Sequence, residues 1–435
     1  MVLEFQQRRR QVLLKMAPTS AALFFAAELT VRSRDTHYFF QQDSDFWYLT
    51  GFSEPGALLV LLKSASGEGC CLLFNQPRDS LAEKWQGRRL GQATACQQLG
   101  VDQAFSIQSV QKQLPELLNR LTTVYHAPNR YPAADKMLDR ALEQLRTGKA
   151  PAWQAPITIT DWQPWLHEMR LIKSETELAL MRQAAKINVA AHQRALQSCR
   201  PGLFEYHLEA ELHYAFAQQG ARYPAYPSIV GSGTNGCILH YTENSAPLCE
   251  GDLVLIDAGC SYQGYASDIT RTWPISGRFT HTQAALYDLV WQMQQAALQQ
   301  LGPEKTLRQA DQAAIAQLVP GLLHLGLLKG KVEQLIAEQA YRPFYCHNLG
   351  HWLGLDVHDV GDFQSSALDR PLQPGMVLTI EPGIYIDLDA AVPPPYRGIG
   401  IRLEDNLVIT ASGYELLTEG LIKQRSEIEA VMSRR

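Results

Sequence analysis

Asp257, Asp268, His351, Glu381 and Glu404 supply four carboxylates and one imidazole, each set in an apolar or glycine-marked frame. The frames are GDLVLIDAG (251–259), YASDITRTW (265–273), HNLGHWLGLDVHDVG (347–361), VLTIEPGIY (377–385) and YRGIGIRLEDN (396–406). Apolar strands do not hold unpaired carboxylates without compensation, and four carboxylates match the charge of two divalent cations. Oxygen-rich ligation with one nitrogen selects manganese, cobalt, iron or zinc over copper, and the lack of thiolates argues against a structural zinc site. Such ions sit about 3.5–4 Å apart and acidify a shared water until it is a nucleophile near neutral pH.

A lone acid at a strand end is usually a turn cap or a solvated group. Here, however, Asp257 follows Val-Leu-Ile, Glu381 follows Leu-Thr-Ile and Glu404 follows Ile-Arg-Leu, one unusual placement three times over. Gly251 to Gly259 also aligns without a gap on Gly375 to Gly383, acid on acid, and each segment is followed by a strand with a further acid, Asp268 or Glu404. Chance likeness of two strand-plus-turn segments is one reading. Two pseudo-symmetric hairpins, each giving two carboxylates to a shared site, explain more.

His347 and His351 have the i, i+4 spacing of a zinc-binding helix, but Gly350 and Gly354 interrupt the segment and no glutamate follows the first histidine. A loop is therefore expected, with one histidine as ligand and His358 and the distant His240 as neutral donors toward substrate. His347 fits a direct role and a packed, hydrogen-bonded role equally. Arg402 precedes Glu404 by two, so in an extended strand both point to one face, where a guanidinium could orient a carboxylate ligand or form a cross-strand ion pair.

The elements that must position these residues begin with strand-like runs over residues 20–80, AALFFAA, DFWYLTGF, ALLVLLKS and CCLLFNQ, after an opening helix. Helical patterns cover 81–99, 107–122 and 134–147. A boundary is expected near 150–173, rich in proline and tryptophan and without helical period. Ser174-Glu175-Thr176-Glu177 is a capping box that starts a helix running to about Cys199. Further helices fit 204–219, 281–301 and 306–325, the last with a break at Pro320. Strands are expected near 226–231, 253–258, 264–274, 376–386 and 399–410. Segregated strands and helices favour an α+β fold with an antiparallel sheet.

A chain of 435 residues exceeds one ordinary domain. With 46% hydrophobic and 19% charged residues and a net charge of −5, it reads as a globular protein without a nucleic-acid surface. The eight cysteines follow no framework spacing and read as reduced, cytoplasmic thiols. Lys15 and Pro18 interrupt the first apolar run, against a signal peptide, and no stretch reaches membrane-spanning length.

At these motifs, together with FWYLTGF, WQGRRLG, EMRLIKS and GSGTNGCILHYTEN, the chain resembles the pita-bread metallopeptidases, and within them the Xaa-Pro aminopeptidase (aminopeptidase P) branch. The resemblance implies two domains: a creatinase-like α/β domain over 1–168 and a pita-bread catalytic domain over 169–435, with a curved antiparallel sheet covered by helices. It implies two metal ions, usually Mn2+, on Asp257, Asp268, His351, Glu381 and Glu404, with Asp268 and Glu404 bridging and Glu381 shuttling protons. His240 and His358 match residues that steady the scissile carbonyl, while Arg402 and Tyr385 match positions that support the ligands or face substrate. His347 is a substrate-side candidate, and Trp85 resembles a residue given to a neighbouring subunit's pocket, as expected of a dimer or tetramer. The implied substrates are peptides with an N-terminal Xaa-Pro. Prolidase shares all five ligands and is the nearest alternative, and Cys346, Asn348 and the proline-dense PPPYRG depart from the usual pattern near the substrate loop. A silent peptide-binding module would be expected to have lost acidic ligands, and all five are present.

Overall fold

A computed structural model of the protein describes residues 2–148, 153–365 and 368–434, so residues 149–152 of the expected boundary segment lie outside the described residues. The chain divides into two compact units, Met1–Met169 and Arg170–Arg435.

The first unit is built on a six-stranded mixed sheet in the order Gln103–Ser106, Gly69–Asn75, Leu58–Lys63, Ser20–Phe25, Thr123–Tyr125, Thr158–Thr160. The three middle strands pair antiparallel, and the outer three join in parallel. Leu58 to Leu61 are all fully buried, which explains their unbroken apolar run: both faces of the sheet are covered.

Three segments up to Leu171 differ from expectation. DFWYLTGF contains a helix, Ser44–Thr50, because the Asp43 carboxylate accepts from the Phe46 N–H at its start and Gly51, at φ 63°, terminates it. The helix expected over 81–99 is two helices, Ser80–Gln86 and Gln92–Leu99, divided where Gly87 and Gly91 take positive φ. The tryptophan-rich stretch carries a helix, Gln163–Leu171, opened by the Asp161 carboxylate accepting from the Gln163 N–H at 2.8 Å.

In the second unit, the helix Glu175–Ser198 starts at the capping box of Ser174 and Glu177. With Glu205–Gln218, His281–Leu298 and Leu307–His324 it contributes to one large apolar core shared with the sheets. Pro320 does not break the last helix. One lost donor is offset because Ala310, Ala314, Leu318 and Leu322 all bury into that core.

The echoing segments form two antiparallel hairpins, each interrupted once. In the first, Leu253–Ala258 pairs with Ile269–Pro274, and beyond a gap Cys260–Tyr262 pairs with Tyr265–Ala266. In the second, Val377–Ile380 pairs with Asp405–Ile409, and beyond a gap Gly383–Ile386 pairs with Ile399–Arg402. Asp268, Glu381 and Glu404 lie in the interruptions and Asp257 two residues before Gly259. At an interruption the strands leave each other's ladder, so an acidic side chain can turn into the space between hairpins. Gly259 is required there, since a Cβ would lie 1.7 Å from the Ser267 carbonyl oxygen. The hairpins are joined where the Glu404 N–H donates to the Thr270 carbonyl at 3.0 Å.

Candidate active site

The interruptions open on a cavity of about 570 Å³ in the second unit, lined among others by His240, Asp257, Asp268, His347, His351, His358, Glu381, Arg402 and Glu404. His351 comes from an irregular segment laid along the second hairpin. Its N–H donates to Thr379 Oγ1 at 3.0 Å, its carbonyl accepts from the Thr379 N–H at 2.9 Å, and Leu349 accepts from the Glu381 N–H at 2.8 Å. That close approach needs Gly350, where a Cβ would meet the Thr379 carbonyl oxygen at 2.0 Å. The segment is therefore a loop edged onto a strand, as its glycines predict, and not a helix.

His351 Nδ1 lies 2.9 Å from the Trp352 carbonyl, which holds a proton on Nδ1 and turns Nε2 toward Asp268 Oδ2 at 3.4 Å and Glu381 Oε1 at 3.5 Å. Thr379 Oγ1 donates to Glu381 Oε1 at 3.2 Å. Asp268, His351 and Glu404 each offer one ligand atom within 4.8 Å of the others. Glu404 Oε2 accepts from Thr270 Oγ1 at 2.7 Å, whereas its buried Oε1 has no hydrogen-bond partner among the described residues. An orphaned carboxylate oxygen at 1% exposure needs a cation or a proton.

Arg402 organises the opposite wall. Its Nη2 donates to Asp257 Oδ2 at 2.6 Å, its Nε to Thr270 Oγ1 at 3.0 Å and its Nη1 to the Tyr385 hydroxyl at 2.7 Å. The Tyr385 hydroxyl lies 2.9 Å from His347 Nε2, so Tyr385 is buried behind His347 in a small cluster with Ile229, Tyr241 and Leu255. Trp85 is on the helix Ser80–Gln86 of the first unit, 84% exposed.

Residues 5–125 match the aminopeptidase P N-terminal domain, and residues 179–411 match metallopeptidase family M24. The Xaa-Pro aminopeptidase of Escherichia coli K12 is 53% identical over 99% of this chain and 97% of its own. The chain belongs to metallopeptidase family M24. Among solved structures, proline aminopeptidase P II from Yersinia pestis covers both chains fully at 54% identity and a TM-score of 0.98. Zn-substituted E. coli aminopeptidase P in complex with product matches at 52% identity and a TM-score of 0.98, over 100% of this chain and 98% of its own. This M24 chain thus has the expected α+β plan of an aminopeptidase P-type N-terminal domain and a pita-bread catalytic domain, and it is a metal-binding hydrolase.

The electrostatics of the M24 site follow from crowding acids out of water. Burial, then Asp268, Glu381 and Asp257, push Glu404 well above the usual carboxylate range. Burial pushes Glu381 up to about 7 against the pull of His351 and Arg402. Burial also raises Asp268, but the His351 hydrogen bond and charge, with Tyr226, carry it below its ordinary value. His351 responds in kind: burial disfavours its cation, yet Asp268 and Glu381 raise it to about 9. The four acids therefore favour a proton on His351 and on Glu404 unless another cation takes its place. Burial lowers His347 to about 4, and burial followed by the charge of His351 lowers His358, so both are neutral near pH 7.

Several supporting residues escaped the sequence reading. The Tyr226 hydroxyl donates to Asp257 Oδ1 at 2.6 Å and also contacts Asp268 Oδ1. Asn188 and His192 both reach the Ala258 carbonyl from the helix Glu175–Ser198, at 2.9 and 3.1 Å. Thr270 and Asn406 stand within the quoted motifs SDITRTW and LEDN, a positional signal that could have drawn attention. Tyr226, in PAYPS, had none.

Proposed function

We propose that the protein is an Xaa-Pro aminopeptidase that releases the N-terminal residue from peptides with proline second, using two divalent cations, Mn2+ first among them. The observation that carries this reading is the meeting of Asp268, His351 and the half-partnered Glu404 in the same cavity as His240 and His358. Asp257, Asp268, His351, Glu381 and Glu404 would hold the cations, whose chemistry is to acidify water and polarise a carbonyl. Asp257 would be kept oriented by Arg402 and Tyr226.

The scissile bond before proline is a tertiary amide, so its nitrogen carries no hydrogen and must be protonated to leave. Glu381, pushed to near neutrality, is suited to take a proton from the attacking water and pass it to that nitrogen. The substrate's α-ammonium belongs beside Asp268. His240 and the neutral His358 would donate to the carbonyl oxygen as negative charge develops on it, with His347 and, behind it, Tyr385 shaping the substrate side. The strongly exposed Trp85 suits a pocket completed by a neighbouring copy in a dimer or tetramer. Eight free cysteines agree with a cytoplasmic site of action. Among the described residues no helix is long and apolar enough to cross a membrane.

The test is hydrolysis by the manganese-loaded protein of an Xaa-Pro-Pro peptide and an Xaa-Pro dipeptide, with metal content measured in parallel. Release of the first residue from the longer peptide is expected. Cleavage of the dipeptide alone would make the protein a prolidase. Fewer than about one ion per chain together with no hydrolysis would make it a binding module.

A further inference from the structure

The proposed site asks two different things of the segment 349–361. Its first half lies against Val377–Ile380 and needs nothing further: Leu353 N–H donates to the Val377 carbonyl at 3.0 Å, and the Thr379 contacts fix His351. Its second half, which carries His358, leaves that strand at Gly354, whose carbonyl accepts from the Ala266 N–H of the first hairpin at 2.8 Å. There the Gly354 N–H donates to the Asp356 carbonyl at 3.1 Å, and the Asp359 N–H returns to the Trp352 carbonyl at 2.9 Å, closing a turn with His358 near its end. The His358 ring meets the His351 ring at 4.4 Å between centroids and an angle of 73°.

That turn is pinned at its base from outside. Asp359 Oδ2 accepts from Lys173 Nζ at 3.0 Å, and Asp359 Oδ1 accepts from Arg170 Nη2 at 2.5 Å. The Asp359, Lys173 and Arg170 side chains are each 1% exposed. Arg170 also donates to Asp356 Oδ2 at 2.8 Å, so both acids of the turn end on the Arg170–Lys173 segment. Lys173 itself is fixed, its N–H donating to the Gly375 carbonyl at 2.9 Å at the start of the second hairpin. A buried, multiply bonded ion pair of this kind is poor at adding stability compared with apolar packing, and it is well suited to selecting one conformation.

We infer that Lys173, through Asp359, is a positioning residue for His358: the buried pair holds the turn so that the imidazole stands beside His351 and over the proposed carbonyl site. This rests on the proposed role of His358 in the reaction. Displacement by about 1 Å of a group that acts only in the transition state lowers turnover by up to about 100-fold, with little effect on ground-state binding.

The experiment is a kinetic cycle on the full-length, manganese-loaded protein with an Xaa-Pro-Pro peptide. Lys173→Met is expected to lower kcat by about 10-fold or more with KM nearly unchanged, and Lys173→Arg to recover most of it. In a His358→Ala background, Lys173→Met is expected to cause no further loss in kcat, because the group it positions is gone. A second perturbation removes no charge: in Gly354→Ala the new Cβ would lie 2.1 Å from Asp359 Oδ2 and 3.0 Å from Lys173 Cε, pushing the pair apart. It should reproduce the kcat loss and likewise vanish against His358→Ala, and it decides the matter if Lys173→Met does not fold. Losses that multiply in the double variants, or a wild-type kcat in folded Lys173→Met, would overturn the inference. If His358→Ala itself turns over like the wild type, it is the role of His358 that fails instead.

Discussion

Asn406 holds Asp268 by its backbone: the amide oxygen of Asn406 accepts from the Asp268 N–H at 2.9 Å, while its amide nitrogen donates to the Asp268 carbonyl. The two residues belong to different hairpins, so this contact sets where the first hairpin's acid stands relative to the second hairpin's Glu404. Asn406 is 1% exposed, and water cannot replace it.

Asn406→Ala should therefore cost about 2–5 kcal/mol of stability, from two backbone groups left without partners in a buried place. Metal affinity should fall about 10- to 100-fold as Asp268 loses its fixed position. Urea unfolding and a manganese titration measure the two effects separately, and unchanged affinity would mean that Asn406 serves packing alone.

Glu381→Ala should lower kcat by about 10²–10⁴-fold, since the proposed proton carrier for the leaving nitrogen is lost. Asp268→Ala should abolish hydrolysis. Both variants should keep the wild-type circular dichroism spectrum, because each removes a charge from a crowded acidic group and leaves the hairpins' ladders intact. Turnover near wild type in either folded variant would sink the assignment.

His358→Ala should reduce kcat by about 10²-fold or more while changing KM little, the pattern of a donor that matters chiefly in the transition state. Equal loss in binding would place His358 on the ground-state substrate.

Metal removal should destabilise the second unit. With manganese at 100 times its dissociation constant, binding adds about 2.7 kcal/mol, and the melting temperature should rise by about 5–10 °C over the EDTA-treated protein. A smaller shift would mean that protons on His351 and Glu404 already relieve the acids.

His192 gives a pH dependence away from the cavity. Burial, partly opposed by its bond to the Ala258 carbonyl, lowers it to about 3, whereas the unfolded chain's imidazole protonates near 6.5. The unfolded state therefore binds the extra proton between these values. Stability from this residue is complete above about pH 6.5 and declines by up to about 1.4 kcal/mol per pH unit as pH falls toward 3. His192→Gln keeps a donor for Ala258 and cannot titrate, so its stability between pH 7 and 5 should fall less steeply than the wild type's at the same metal loading.

Much of this protein was legible in the chain. Four acids and a histidine in apolar frames demand compensation wherever they fold, the repeat of GDLVLIDAG in GMVLTIEPG announces paired hairpins, and Gly350 and Gly354 exclude a helix at the histidines. Local signals went astray where caps or packing outweighed pattern: Asp43 and Gly51 make a helix of an apparently strand-like run, and the apolar face of Leu307–His324 carries that helix through Pro320. What the chain could not show is how the acids are held. In sequence Arg402 stands beside Glu404, yet its shortest bond is to Asp257 on the other hairpin. Tyr226, Asn406 and the Lys173–Asp359 pair likewise act between segments far apart in sequence. Burial makes a charge's need for a partner visible in its own neighbourhood, but the partner comes from whichever segment the fold brings near, and only the tertiary structure decides that.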